Sequence, residues 1–232
     1  MSRYRPPVLL TNLLKAAFYL LYHQFAWSYD LVSAVVSLGR WQSWVNSVLP
    51  MIEGSNVLEI GHGPGHLQAS LLAKGVFTVG IDESKQMSRL AGSRLKQYTQ
   101  GLNREGIEQI YASPRLINGV GQHLPLSGCC FDTVVATFPA PYIFEKDALL
   151  EIQRVLKPEG LLLILLAAWF TGDNLADRSA AIIYRITGET PGPGYDLNRF
   201  ISPFDNAGLS ANIQWINLHN NRLLLIVARK QN

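Results

Sequence analysis

The stretch Asn56-Val57-Leu58-Glu59-Ile60-Gly61-His62-Gly63-Pro64-Gly65-His66-Leu67 determines the fold that we expect for this chain. It begins with a short apolar run of the kind that forms a buried parallel strand. Glycines follow at alternate positions, and apolar residues at helical spacing start at Leu67. Such a strand–turn–helix unit makes a ligand site, because glycine lets backbone N–H groups approach a ligand and the helix N-terminus adds free N–H groups. Glu59 would place a negative charge beside the turn.

The spacing of the glycines separates two classes of nucleotide-binding enzyme. The dinucleotide fingerprint G-x-G-x-x-G needs glycine at position 66, where this chain has His66. The pattern Glu-x-Gly-x-Gly-x-Gly instead resembles motif I of the class I S-adenosylmethionine-dependent methyltransferases. The resemblance implies S-adenosyl-L-methionine as the cofactor, with Glu59 and the turn holding its methionine end. The turn residues assigned to the cofactor are Gly61, His62, Gly63 and Gly65.

Length and composition indicate one globular core rather than a fibrous or disordered chain. The chain has 232 residues, of which 48% are hydrophobic and 16% charged, and its net charge is only +3. No run of Lys or Arg exceeds two, which argues against a nucleic-acid partner. Cys129 and Cys130 are adjacent, so they favour neither a disulfide nor a zinc set. These features predict a cytoplasmic protein.

Residues 1–50 are predicted to form an N-terminal helical cap ahead of a methyltransferase domain at 51–232. Helices are expected over 8–22 and 31–48, with many aromatic side chains between and within them. These aromatics suit a helical layer packed on the domain, or a cap that closes over the ligand. A third interpretation is peripheral membrane contact through residues 8–22, a segment shorter than the roughly 20 residues that a spanning helix needs.

A second strand, predicted over 76–82, ends in Asp82. This acid lies about twenty residues after the first glycine, where a carboxylate can accept hydrogen bonds from both ribose hydroxyls of a bound adenosine. Glu83 follows and is assigned to the same site. Met87, one turn into the next helix, could lie against the adenine face or be an ordinary core residue.

Two later segments resemble the same family. Residues 119–126 and 131–138 are similar to its pattern "G-D-A-x-x-L-P-F … F-D-x-V", although Val120 replaces the acid that accepts the adenine amino group. Adenine recognition would then rest on backbone N–H groups, or on a side-chain amide, in a loop that contains Gly121, Gln122 and His123. Thr137 and Phe138, at the end of the fourth strand, would border the methyl donor.

The phrase Glu-Ile-Gln-Arg-Val-Leu-Lys-Pro-Glu-Gly at 151–160, followed by a hydrophobic strand over 161–166, completes the resemblance. It implies an α/β, Rossmann-like sheet of seven strands in the order 3-2-1-4-5-7-6, with the seventh strand antiparallel and helices on both faces. Residues 167–203 are interpreted either as an insertion that covers the substrate or as a solvated connection with a packing helix. Strands over 211–218 and 222–227 would form the closing hairpin.

The acceptor is constrained mainly by motifs that the chain lacks. Residues 138–142, Phe-Pro-Ala-Pro-Tyr, differ from the [DN]-P-P-[YF] of amino-directed N-methyltransferases, and no Pro-Cys nucleophile follows. No general base is evident among His123, His62, Tyr142 and Tyr29; His123 and Tyr142 are kept as candidates. His62 and His66 straddle a turn without a third ligand, so no metal site is expected.

The aromatic segment at 25–30, followed by a helix and motif I, is similar to the type 11 group of small-molecule methyltransferases, which includes quinone-ring and phospholipid-headgroup enzymes. The resemblance implies that Tyr29 reaches the cofactor and that the acceptor is small and apolar, lipid-like or quinone-like. Two alternatives stay open: a non-catalytic S-adenosylmethionine-binding module, and an NAD-dependent oxidoreductase. None of these motifs assigns an oligomeric state.

Overall fold

The computed structural model describes residues 37–104, 115–172 and 201–231, and the elements are numbered within these ranges. The strands are β1 Asn56–Ile60, β2 Phe77–Asp82, β3 Arg115–Asn118, β4 Phe131–Thr137, β5 Leu156–Phe170, β6 Leu209–Leu218 and β7 Asn221–Lys230. The α-helices are α1 Trp41–Asn46, α2 His66–Ala73, α3 Lys85–Arg104, α4 Lys146–Val155 and α5 Ser202–Asp205. Short 3₁₀ helices span Leu49–Met51 and Pro141–Phe144.

The seven strands form one sheet in the order β3-β2-β1-β4-β5-β7-β6, which confirms the predicted topology. Strands β1 to β5 are parallel, whereas β7 is antiparallel to both β5 and β6. Most residues of β1, β2 and β4 are buried because both faces of the sheet are covered, as is usual for parallel strands. This arrangement brings the carboxyl ends of β1, β2 and β4 to one edge of the sheet.

Alternating side chains of each strand lie on opposite faces of the sheet and belong to two separate hydrophobic cores. On one face, Leu58 and Ile60 of β1 pack with residues of α4 such as Leu149 and Ile152. On the other face, Val57 packs with apolar residues of α1 and α2, which are Trp44, Val45, Leu67 and Leu71. Helices therefore cover both faces, and α1 and α2 lie on the side where the glycine turn leaves β1.

Two elements, the helix before β1 and the fifth strand, differ most from the sequence-based expectation. Of the helix expected over 31–48, the structure describes residues 37–48, where Leu38 and Gly39 are not helical because their φ values of 51° and 78° are left-handed. Helix α1 begins only at Trp41. The fifth strand, expected over 161–166, continues to Phe170 because β7 pairs with it as far as Phe170–Asn221.

Several predictions fall outside the described residues. These are the helix over 8–22 with its membrane contact, the cofactor contact of Tyr29 and most of the segment 167–203. The division of the chain at residue 50 also stays a prediction. Among the described residues, no helix has the length and apolar character needed to cross a membrane.

Asp132 holds the entry to β1 in place. Its Oδ2 accepts hydrogen bonds from the N–H groups of Ser55 at 3.1 Å and Asn56 at 2.9 Å, and its Oδ1 lies 2.6 Å from Lys157 Nζ. Partial burial opposes ionisation, but these hydrogen bonds outweigh it and lower the pKa of Asp132. Gly54, just before this contact, has a φ of 72° and no room for a side chain: a Cβ atom there would lie 2.3 Å from Asp132 Cβ.

We expect Gly54→Ala to lower the free energy of unfolding by at least about 2 kcal/mol, because it combines a clash with the Asp132 side chain and a left-handed backbone conformation. Gly92 is the matched control, since it lies within α3 and a Cβ atom there would meet nothing within 4 Å. Gly92→Ala should raise stability by roughly 0.5–1 kcal/mol. Urea denaturation measures both; equal effects of the two substitutions would contradict the packing described here.

Candidate active site

A cavity opens at the carboxyl edge of the sheet, beside the ends of β1, β2 and β4. Most of the side chains and backbone segments assigned to the cofactor from the sequence line it. They are Glu59, Gly61, His62, Gly63, Asp82, Glu83, Gly121, Gln122, Thr137 and Phe138, and the candidate base Tyr142 lines it as well. The topology thus brings together residues that are up to 83 positions apart in the chain.

Asp82 connects the glycine turn to the helix that follows β2. Its Oδ2 accepts the N–H of Gly63 at 2.9 Å, and its Oδ1 accepts the N–H of Ser84 at 2.8 Å. The N–H of Gly61 also donates to Ile81 O at 2.8 Å, so the turn is held along the end of β2. A carboxylate can accept about four hydrogen bonds, so Asp82 retains capacity for the hydroxyls of a ligand.

Three of the assigned residues do not line the cavity. Gly65 has a φ of 82° at the start of α2, and a Cβ atom there would lie 2.8 Å from Ala91 Cβ, so this glycine allows α2 and α3 to pack closely. Met87 is fully buried in the core. His123 is exposed, and its charge contributes to lowering the pKa of Glu151, mainly an effect of Arg154. The structure therefore shows no cavity contact for these three residues, and their cofactor roles stay predictions.

Gln68 is a site-supporting residue that the sequence analysis missed. It projects from the buried face of α2, where its Nε2 donates to Glu59 Oε2 at 2.8 Å and its Oε1 accepts from Thr78 Oγ1 at 3.1 Å. Gly80 on β2 leaves the room, since a Cβ atom there would lie 3.1 Å from Gln68 Nε2 and 3.0 Å from His62 Cδ2. The sequence does contain a signal for this role, because Gln68 is a polar residue that directly follows Leu67 on the apolar side of a helix.

Burial raises the pKa of Glu59 to about 8, although the hydrogen bond from Gln68 lowers it; the nearby charge of Asp82 raises it further. Glu59 therefore carries a proton at neutral pH, and a positively charged group placed beside it would favour the ionised form. Burial also lowers the pKa of His62, against the attraction of Asp82. The Nδ1 of His62 lies 2.7 Å from Gly63 O, and it acts as the donor there because a carbonyl oxygen can only accept.

The opposite wall of the cavity is aromatic. The ring of Phe138 lies 4.7 Å from that of Trp41 and 6.2 Å from that of Trp44, which in turn contacts Phe170 at 5.4 Å. Phe138 has a φ of 50°, an uncommon conformation for a bulky residue, and its N–H donates to Leu165 O at 2.7 Å. The backbone after β4 is thus strained in a way that places this ring against Trp41.

These groups suit S-adenosylmethionine. The turn leaves space for a ligand, because a Cβ atom at Gly63 would meet nothing within 4 Å. A carboxylate at Asp82 suits ribose hydroxyls, and the buried acid Glu59 suits a cationic tail. Within residues 37–104, 115–172 and 201–231, no cluster of three His, Cys, Asp or Glu side chains could hold a metal ion.

The pKa of Glu59 predicts a specific pH dependence of stability. Because the folded-state pKa of about 8 exceeds the ordinary value of 4.5, the stabilising contribution is complete below about pH 4.5 and declines as the pH rises to about 8. Between pH 6.5 and 8, Glu59 should lower the free energy of unfolding by up to about 1.4 kcal/mol per pH unit, and comparison with a Glu59 variant isolates this slope from that of the histidines, which both proteins share. Glu59→Gln should remove this slope.

Glu151→Gln provides the control for urea denaturation across this range. Hydrogen bonding to Arg154 lowers the pKa of Glu151, so its contribution is present above pH 4.5 and is lost only in acid. That substitution should leave the slope between pH 6.5 and 8 intact. An unchanged slope in Glu59→Gln would show that Glu59 is already ionised in the folded protein.

Comparison with known proteins is consistent with this geometry. Residues 58–164 match the family model described as a methyltransferase domain. The demethylmenaquinone methyltransferase of Thermobifida fusca is 30% identical over 140 residues, which are 59% of this chain and 55% of that protein. The ubiquinone/menaquinone biosynthesis C-methyltransferase UbiE of Blochmanniella floridana is 28% identical over 151 residues, 62% of this chain and 56% of that protein. The chain thus spans little more than half the length of these relatives.

A solved structure from Methanococcus maripaludis, described as a candidate S-adenosyl-L-methionine-dependent methyltransferase, has the same fold. Its TM-score is 0.62 at 18% identity, and the alignment covers 100% of this chain and 98% of that one. Residues 58–164 of the chain therefore match a methyltransferase domain, and the chain has the fold of that solved structure.

Proposed function

We propose that this protein binds S-adenosyl-L-methionine and transfers its methyl group to a small, apolar, lipid-like or quinone-like acceptor. The observation that carries the proposal is the pairing, in one cavity, of a glycine turn tied to Asp82 with an aromatic wall made by Trp41 and Phe138. The glycine turn with Asp82 suits the adenosine, and the aromatic wall suits a flat apolar molecule.

In this proposal the protein contributes mainly binding and alignment. The cofactor supplies a methyl group that its own sulfonium charge already activates, so the chain must align the acceptor and exclude water. Asp82 would hold the ribose hydroxyls, while the turn and Glu59 would hold the methionine end. Thr137 and Phe138 would border the methyl group. Of the two candidate bases, His123 lies outside the cavity and Tyr142 lines it.

The acceptor class rests on the chemistry of the wall and on the relatives. The wall offers ring faces, and the cavity side of α1 adds Val45 rather than a charge. Relatives that match at 28–30% identity are named for methylation in menaquinone and ubiquinone synthesis. A flat quinone-like ring can stack against Trp41 and Phe138. We further propose that the protein has no nucleic-acid partner and a cytoplasmic location, which its two free, exposed cysteines support.

Two other functions give different results in simple assays. An NAD-dependent oxidoreductase is disfavoured because position 66, which that fingerprint fills with glycine, holds the first residue of α2. Calorimetric titration with S-adenosylhomocysteine and with NAD separates the two cofactors. A non-catalytic binding module would bind S-adenosylmethionine but would release no labelled product from any acceptor.

Asp82→Asn should weaken S-adenosylhomocysteine binding by roughly 10- to 100-fold, because hydrogen bonds to a charged group contribute about 1.5–3 kcal/mol. Isothermal titration calorimetry measures the change. Asp147→Asn is the control, since Asp147 is an exposed acid in the first turn of α4 and does not line the cavity. Equal affinity in wild type and Asp82→Asn would refute the assignment of the ribose site.

Trp41→Ala should raise KM for a quinone-like acceptor about tenfold and leave S-adenosylhomocysteine affinity within about twofold of wild type, because it removes only the aromatic wall. The assay follows transfer of a labelled methyl group to a naphthoquinol. Trp215→Ala is the control, since Trp215 is 37% exposed on the edge strand β6 and packs on Trp169. A fall in cofactor affinity with an unchanged KM for the acceptor would place Trp41 at the cofactor end of the cavity and contradict this prediction.

A further inference from the structure

The ring of Tyr142 fills the space that two glycines of the site leave free. A Cβ atom at Gly61 would lie 3.2 Å from Tyr142 Oη, and a Cβ atom at Gly121 would lie 3.0 Å from Tyr142 Cε2. Gly61 belongs to the turn after β1, and Gly121 belongs to the loop after β3. Both segments are assigned to the cofactor from the sequence, so the ring lies between two parts of its proposed site.

Neighbouring contacts hold this arrangement. Tyr142 belongs to the 3₁₀ helix Pro141–Phe144, whose end is marked by a hydrogen bond from Glu145 N–H to Tyr142 O at 2.9 Å. The Glu145 carboxylate accepts from Gln122 Nε2 at 3.0 Å. The loop that contains Gly121 is therefore connected to the helix that carries Tyr142, and the ring packs against that loop.

The position of the ring narrows the cavity unevenly. Near Gly63 the turn is open, whereas at Gly61 the Tyr142 hydroxyl already occupies the place next to the backbone. The cavity volume is ≈ 190 Å³, below the roughly 300–1,000 Å³ that is common for ligand pockets. A ligand that lies along Gly61 and Gly121 at once would overlap the ring.

We propose, on the basis of the proposed function, that the ring of Tyr142 competes with the cofactor for the space between Gly61 and Gly121 and so sets the affinity of the site. A ligand that enters this space has to displace the ring. Its binding free energy is therefore weakened by the free energy of the contacts that the ring loses. The contacts that the cofactor makes with Asp82 and Glu59 have to offset this cost. Tyr142 thereby sets how tightly the cofactor binds.

The first test compares the affinity for S-adenosylhomocysteine among single variants. Tyr142→Ala should bind at least fivefold more tightly than wild type, and Tyr142→Phe, which keeps the ring, should bind within about twofold of wild type. Phe144→Ala is the matched control, because Phe144 lies on the same 3₁₀ helix but packs on Phe204 at 6.1 Å. It should not tighten binding. Equal or weaker binding by Tyr142→Ala would overturn the proposal.

The second test uses the wild-type protein and so does not depend on the folding of a variant. Tetranitromethane modifies exposed tyrosine rings, and peptide mass spectrometry reports each position separately. Saturating S-adenosylhomocysteine should increase nitration of Tyr142 severalfold, because the displaced ring becomes accessible, while Tyr98 on α3 serves as the internal reference. If the ligand instead protects Tyr142 from nitration, the ring covers the bound ligand and does not compete with it. That result overturns the proposal.

These outcomes separate this proposal from the function on which it rests. Wild type that binds S-adenosylhomocysteine, with weaker binding by Tyr142→Ala, would leave the methyltransferase assignment in place and exclude competition by the ring. If neither protein binds the ligand, the proposed function itself fails and the role of Tyr142 fails with it.

Discussion

The hydrogen bond from the Gly63 N–H to the Asp82 carboxylate is the contact on which the rest of the site depends. It joins the turn after β1 to the end of β2, two segments that are adjacent only because the strands are parallel. Together with the hydrogen bond from the Gly61 N–H to Ile81 O, it fixes the position of the turn relative to the acid. The glycines make this contact feasible, since Gly61 and Gly63 have φ values of 72° and 52°, which other residues adopt at a cost.

A second layer of polar contacts lies beneath the turn. Glu59 is buried in the sheet, where an uncompensated polar group is costly, and Gln68 and Thr78 supply its environment from α2 and β2. Gly80 has to be small for the amide to reach its place. The acid beside the turn is thus supported from two elements before any ligand is present, as a preorganised binding site requires.

Much of the fold could be predicted from the sequence because its determinants are local. Apolar runs marked the central strands, and β2, predicted over 76–82, spans Phe77–Asp82. The long-range consequences of packing could not be predicted in this way. Met87 has the spacing of an adenine contact but lies in the core, and Gly65 has the spacing of a ligand contact but faces Ala91. Side-chain direction and helix–helix distance, which decide these roles, are not encoded in spacing.

The strained backbone at Phe138 has a consequence for attempts to redesign the acceptor range. The two rings of the aromatic wall are not equally replaceable. Trp41 begins an ordinary helix, so variation there changes the shape of the wall and little else. Phe138 has a left-handed φ, and its N–H donates a hydrogen bond to β5. The position of the neighbouring Thr137 depends on the same backbone conformation. A laboratory-evolution library that diversifies position 41 should therefore retain far more folded members than one that diversifies position 138.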